Sequence, residues 1–355
     1  MTKIYLIRHA EAEGNIYRRA HGHYNGLVTD RGYRQIERLK KRFENVNINA
    51  IYSSDLTRAC ETATALSQPR GLPINKNVML REVCMGEWED SSWGDIEYWH
   101  KDMNGNFEKD PERWSVNGSE PYKDVKARMI SFITETAEHH HGETIAFFSH
   151  GFAIRSLMCL LEGFSSNETS KIPYFDNTAV TILTYENNKL KVEEKGCTSH
   201  LKKEHSTLEK QTWWREEHRR ISENLRFMQL NEVCSEDLLR IFKAKAGERA
   251  NVDIQYVGIL DDEPVGIVGI DTKKDYGMNI GWISYIHVIP KHRNKSFATQ
   301  LLGLAVSDFR KLKSDRLRIE LPSGNLAINF MNKYGFDAID VTDQFFVMEK
   351  NIRNW

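Results

Sequence analysis

The chain has 355 residues, and at about 150 residues per domain that length predicts two domains rather than one core. Lysine and arginine number 49 against 50 aspartates and glutamates, so the formal charge of −1 offers no net basic field for nucleic acid or anionic lipid. No apolar run approaches the roughly 18 residues of a membrane span, and the early one, residues 4–7, stops at Arg8, which argues against a signal peptide. Five cysteines (Cys60, Cys84, Cys159, Cys197, Cys234), far apart and never spaced CxxC, read as reduced thiols of a cytoplasmic protein.

In chain order, compact apolar or β-rich runs at residues 4–7, 50–53, 144–149 and 179–185 predict strands. The last turns through Asn187-Asn188 into 190–192 as a hairpin. Between them Tyr33, Ile36, Leu39 and Phe43 keep helical spacing behind Thr29-Asp30, as do Val125, Met129, Phe132 and Thr136. This alternation predicts an α/β domain with a mostly parallel sheet flanked by helices. Residues 201–220 are polar and charge-mixed, and the domain boundary is placed there: 1–205 and 206–355. The second half reads as another α/β unit, with helices at about 213–230 and 235–246, β-runs at 253–260, 265–271 and 279–288, a helix at 297–311, a strand at 316–321, a helix at 326–334 and a closing strand at 345–349.

Ligands of an open α/β sheet bind beyond the carboxyl ends of its strands. The first strand ends in Arg8-His9, the second leads through Ser54-Asp55 to Arg58, and the third ends in His150-Gly151. Guanidinium forks grip phosphate oxygens and stay protonated, while a neutral imidazole can attack phosphorus and carry the phosphoryl group. A phosphate ester is the substrate class this chemistry suits. His139-His140-His141 joins a helix to a strand beside Gly142 and reads as a solvated loop rather than a metal tract.

With these residues the chain resembles the histidine phosphatase superfamily, in its phosphoglycerate mutase-like branch. The resemblance runs through Arg8-His9-Ala10-Glu11-Ala12-Glu13-Gly14-Asn15, Ser53-Ser54-Asp55-Leu56-Thr57-Arg58-Ala59, Leu80-Arg81-Glu82 with Trp88-Glu89, Ser149-His150-Gly151 and Asn177-Thr178, covering about residues 1–201. It implies His9 as the nucleophile that becomes phosphohistidine, Arg8 and Arg58 as phosphate clamps, His150 as a support for the transferring charge, Asn15 in the same pocket, Glu82 as proton donor, and no metal. Ala10 replaces the family's usual Gly, His21 a usual Gln and Asn25 a usual Asp, changes that bear on substrate choice. Residues 91–118 are shorter than the insertion of cofactor-dependent mutases, which favours a phosphatase over a phosphoglycerate mutase-type phosphotransferase. Trp93, Tyr98, Trp99, His100 and Trp114 there read either as an aromatic lid or as satellite packing. Arg18 and Arg19 read as exposed charge.

In the second half, a strand ending at Pro290 is followed by Lys291-His292-Arg293-Asn294-Lys295-Ser296-Phe297-Ala298 and an apolar helix. A helix start behind small and basic residues is an anion site. The order resembles the coenzyme A loop of GNAT acetyltransferases, here Arg293-x-x-Ser296-x-Ala298 after Ile286-His287-Val288-Ile289-Pro290, with Tyr334-Gly335-Phe336 matching a later block. The resemblance implies a GNAT-like α/β fold and acetyl-CoA held by Ile286, Val288, Arg293, Asn294, Lys295, Ser296, Phe297 and Ala298. Ser296 stands for a family glycine, Met331 for the tyrosine that is the common general acid, and Asn325 is one place off the family's asparagine.

The sequence therefore predicts a cytoplasmic bifunctional enzyme: a phosphatase acting on a small phosphate ester without a cofactor, and an acetyl-CoA-dependent N-acetyltransferase acting on a small amine. The alternative is an active phosphatase with a non-catalytic acetyl-CoA-binding module, which could also make the chain a homo-oligomer. No nucleic acid or membrane partner is expected.

Overall fold

The computed structural model describes residues 1–211, 223–232, 252–275 and 277–354. Two compact units emerge, the first built from Met1–Ala12, Ala20–Ser91 and His100–Arg219, the second from Glu13–Arg19, Ser92–Trp99 and Arg220–Trp355. The helices described, in chain order, are α1 (Glu13–Tyr17), α2 (Asp30–Arg42), α3 (Thr57–Arg70), α4 (Trp93–Trp99), α5 (Lys101–Lys109), α6 (Tyr122–His139), α7 (Gly151–Leu161), α8 (Phe297–Lys311) and α9 (Ala327–Lys333).

The sheet of the first unit contains β1 (Thr2–Arg8), β2 (Ala50–Ser53), β3 (Ile74–Lys76), β4 (Thr144–Ser149), β5 (Val180–Glu186) and β6 (Lys189–Cys197), in the order β3-β2-β4-β1-β5-β6. Pairing is parallel from β3 through β1 and antiparallel through β5 and β6. Central parallel strands are buried on both faces, which is why β1 and β4 read as continuous apolar runs: Ile4, Leu6, Ile7, Ile145 and Phe147 have no exposed surface. Tyr5, Ile7, Ile51 and Phe148 point to the face covered by Ile36 and Leu39 of α2 and Ala63 and Leu66 of α3. The alternate residues face the other way, where Phe132 of α6 meets Phe147 with ring centroids 6.0 Å apart. Thr29 caps α2 by accepting from the Gly32 N–H, with Asp30 in the first turn and Lys40, Lys41 and Arg42 in the last, an arrangement that suits the helix dipole.

The second unit carries β7 (Arg226–Gln229), β8 (Ile254–Leu260), β9 (Glu263–Asp271), β10 (Ile280–Val288), β11 (Arg316–Pro322), β12 (Asp337–Val341) and β13 (Phe345–Asn351) in the order β12-β13-β11-β10-β9-β8-β7. Among the described residues of this unit, only β10 and β11 pair in parallel. Leu301, Leu302, Ala305 and Phe309 of α8 fill its core against Val268, Ile283 and Leu317. The helix lies so close to the sheet that a Cβ on Gly281 would sit 2.4 Å from the Phe309 ring, so this strand position admits only glycine.

The sequence expectations differ from this architecture at particular places. The units do not divide at a single cut near 205. Tyr17 of α1 belongs to the apolar core of the second unit, whereas Thr207 and Leu208 donate their N–H groups to the buried Asp176 carboxylate of the first. Residues 226–229, expected to end a helix, form β7, because pairing of Phe227 with Gly258 across β8 supplies hydrogen bonds that override local helical spacing. The rest of that expected helix, and the one expected at 235–246, lie outside the described residues. Arg19, expected to be exposed, is 6 % exposed and donates to the Ser307 hydroxyl at 3.0 Å within the second unit.

Candidate active site

Parallel register brings the two histidines of the first unit together. Arg8 at the end of β1 is paired with Ser149 at the end of β4, and the His9 N–H donates to the Ser149 carbonyl at 2.9 Å. The next residue on each strand is a histidine, and the His9 and His150 ring centroids stand 5.1 Å apart. Asn177 fixes the His9 carbonyl through its side-chain amide at 2.9 Å, and the Ala10 N–H donates to Thr62 Oγ1 at 2.8 Å. His9 Nδ1 lies 2.7 Å from the Ala10 carbonyl. A carbonyl oxygen can only accept, so Nδ1 carries the proton and Nε2 keeps a free lone pair. Burial, then the Arg58 and Arg8 charges, push the His9 pKa well below the usual histidine range, so the ring is neutral at physiological pH.

The neighbouring strand β2 leads into α3, whose first turn holds Arg58, 1 % exposed. Its Nη1 donates to the Tyr24 carbonyl at 2.9 Å, and its Nη2 donates to the carbonyls of Gly22 at 2.8 Å and His21 at 3.1 Å. Burial lowers its pKa to about 10 against the opposing pull of Glu82 and Glu89, which leaves it a cation at neutral pH. Arg8 donates from Nη1 to the Phe175 carbonyl, while its buried Nε has no hydrogen-bond partner among the described residues. Both ring nitrogens of His150 are likewise buried without a partner there, and burial followed by the Arg58 charge holds this ring neutral. Glu82 is drawn to the same end of the sheet: its carboxylate accepts the N–H groups of Phe152 at 3.0 Å and Ala153 at 2.8 Å, in the first turn of the helix that follows His150. Two guanidinium cations, two neutral imidazoles with unpaired nitrogens and one carboxylate thus converge beyond β1, β2 and β4. Unpaired buried donors are costly unless a ligand meets them, and a phosphoryl dianion is the ligand this set of donors fits.

In the second unit, β10 and β11 pair only from Ile280↔Arg316 to Ile283↔Ile319, while β10 goes on pairing with β9 as far as Val288. At its end the backbone N–H groups of Asn294, Lys295, Ser296, Phe297 and Ala298 make no hydrogen bond among the described residues, and they stand at the N-terminus of the 15-residue α8. Asn294 and Ser296 both have φ of 63°, in the left-handed region. Such a run of free N–H groups at a helix start is a cradle for a pyrophosphate, and the residues fit acetyl-CoA on that ground. Ser296 retains the backbone shape that a glycine adopts without strain. Left-handed geometry costs an L-residue roughly 1–2 kcal/mol, partly offset by the greater freedom of glycine in the unfolded chain. Ser296→Gly is therefore expected to stabilise the second unit by about 0.5–1 kcal/mol in denaturant unfolding, whereas Ser296→Ala should bring no gain.

A family model described as the histidine phosphatase superfamily (branch 1) matches residues 4–198. The chain belongs to the histidine phosphatase superfamily. A second model, the acetyltransferase (GNAT) family, matches residues 211–336. The superfamily domain is 26% identical over 203 residues to phosphoserine phosphatase 1 of Hydrogenobacter thermophilus, a match spanning 57% of this chain and 95% of that protein. It is 30% identical over 177 residues to the probable phosphoglycerate mutase GpmB of Yersinia pestis, spanning 48% and 80% of the two chains. Among solved structures it is similar to Bacillus stearothermophilus YhfR, with a TM-score of 0.55 and 30% identity over 57% of this chain and all of that one.

The residues expected in a histidine phosphatase pocket do not all share one unit. Arg8, His9, Arg58, Glu82 and His150 fall in the first, whereas Asn15 lies on α1 in the second. His100 and Trp114 pack around Trp88, with ring centroids 5.7 Å from it in each case, and Phe107 stacks on Phe152 at 4.8 Å. That is the satellite packing the sequence allowed. Trp93, Tyr98 and Trp99 belong to α4 of the second unit. Sequence reasoning assigned no role to Thr62 and Asn177, which hold the His9 loop. Asn177 stands in the Asn177-Thr178 pair that carries the resemblance, but its hydrogen bond to the His9 carbonyl is visible only in the fold. Met331 is buried at 1 % exposure, and the Tyr334 hydroxyl accepts from Thr299 Oγ1 at 2.9 Å.

Proposed function

We propose that the first unit hydrolyses a small phosphomonoester through a phosphohistidine at His9. The observation that carries this reading is the His9 ring itself: neutral, with Nδ1–H tied to the Ala10 carbonyl and Nε2 free beside two buried guanidinium groups. Nε2 attacks phosphorus, the P–O bond to the leaving group breaks, and Glu82, entering this step as the carboxylic acid, gives its proton to the departing alkoxide and becomes the carboxylate. Arg8, Arg58 and His150 hold the equatorial oxygens, where charge builds. Water then attacks the phosphohistidine, the Glu82 carboxylate takes its proton, the Nε2–P bond breaks to restore the neutral imidazole, and phosphate leaves. Similarity to a phosphoserine phosphatase supports a small phosphorylated amino compound as substrate. The compact segment 91–118 favours hydrolysis over phosphotransfer. A metal-free panel of phosphomonoesters that includes phosphoserine tests this. Release of phosphate with phosphoserine among the best substrates is expected, and no turnover of any member would refute it.

For the second unit we infer binding of acetyl-CoA along β10 at Ile286 and Val288 and in the loop from Arg293 to Ala298. When bound, the cofactor supplies an activated acetyl group for a small amine. The burial of Met331 favours a second reading, in which this unit binds the cofactor without turnover. Calorimetry on the full chain is expected to show acetyl-CoA binding that weakens in Arg293→Glu. Absence of binding would remove both readings, and release of free thiol with an amine panel would decide for transfer.

A further inference from the structure

Glu89 has no part in the chemistry described so far, yet it sits behind the phosphate clamp. Its Oε1 accepts the His23 N–H at 2.8 Å and the Met85 N–H at 2.9 Å, and its Oε2 accepts the Tyr24 N–H at 2.7 Å. The carbonyls of the same short loop point the opposite way: those of His21, Gly22 and Tyr24 all accept from Arg58. One peptide group belongs to both sets. The N–H of His23 and the carbonyl of Gly22 form a single planar amide, with the Glu89 carboxylate at its donor end and the Arg58 guanidinium at its acceptor end. An anion at the N–H and a cation at the C=O polarise that amide in the same sense, so the two hydrogen bonds strengthen each other. Gly22 is the residue that permits this. A Cβ there would lie 2.3 Å from Glu89 Oε1 and 2.5 Å from the Val83 carbonyl, so any side chain would push the carboxylate off the loop.

We propose that Glu89 is the positioning residue for Arg58, acting through the Gly22–His23 peptide to aim the guanidinium at the transferring phosphoryl group. The proposal rests on the reading of Arg58 as a phosphate clamp. Glu89 touches no reacting atom. Its work is to hold three carbonyls where they fix the plane of Arg58, and a guanidinium tilted out of that plane would no longer match the equatorial oxygens.

The test is a double-mutant cycle on the full chain with an aryl phosphate, together with inhibition by orthovanadate as a mimic of the transferring group. Arg58→Ala should lower kcat/KM by about 10²- to 10³-fold, the usual effect of removing one transition-state donor. Glu89→Gln keeps the shape but presents an NH₂ to an N–H, and should lower kcat/KM by about 10- to 10²-fold while weakening vanadate in proportion. The decisive result is that Arg58→Ala/Glu89→Gln is no slower than Arg58→Ala alone, because with the guanidinium gone there is nothing left to aim. A merely structural role would multiply the two losses. Gly22→Ala attacks the same clamp from the other side and should reproduce Glu89→Gln. Wild-type activity in Arg58→Ala would overturn the clamp reading itself. A slow Arg58→Ala beside fully active Glu89→Gln and Gly22→Ala, or losses that multiply in the double variant, would overturn the assignment of Glu89.

Discussion

Replacing His9 with alanine is expected to lower kcat/KM of the phosphatase by up to about 10⁶-fold, the scale seen when a covalent nucleophile is removed. The size follows from the site. Burial and two cationic neighbours keep His9 neutral, and its proton is committed to the Ala10 carbonyl, so Nε2 is the attacking atom. His150 is also neutral and its ring nitrogens are unpaired among the described residues, yet it begins α7 rather than standing on the loop held by Thr62 and Asn177. It is therefore not expected to take over the attack. Steady-state kinetics with an aryl phosphate reads the loss. A His9→Ala enzyme within about 10-fold of wild type would mean that water attacks the ester directly, without the covalent step.

Glu82→Gln is expected to slow esters with poor leaving groups by about 10²- to 10⁴-fold, the range of general acid catalysis, and aryl phosphates far less. Alkoxides need a proton as the P–O bond breaks, whereas phenolates with low pKa depart without one. The glutamine keeps acceptor contact with the first turn of α7 through one oxygen, so the fold around Phe152 and Ala153 should persist. A plot of log kcat/KM against leaving-group pKa should steepen in the variant. Parallel lines for the two enzymes would remove Glu82 as the acid.

The strand ends that build the first unit's site were legible because buried parallel strands leave an uninterrupted apolar signature, as at Leu6 and Phe147, and the residue after each strand must then lie at the carboxyl edge of the sheet. Helix α8 was legible for a similar reason, since its apolar positions recur through a full 15 residues. What escaped the sequence depended on distant partners. Helix α1 has five residues, too few for a periodic signal, and its unit is decided by Tyr17 packing with residues near 300. All residues of β12 are exposed, so no alternation marked it, and it exists by pairing with β13. The Glu89 clamp was equally hidden, for it is made of backbone N–H and carbonyl groups whose directions only the folded loop defines.

Rapid quenching of the enzyme with a phosphate-labelled substrate tests the covalent phosphohistidine at His9 most directly. In the first turnover, label should appear on the protein, stable in base and lost in acid as a phosphoramidate is, and it should be absent from His9→Ala. A wild-type enzyme that turns over the substrate without ever carrying label, or a His9→Ala enzyme labelled to the same extent, would contradict the account.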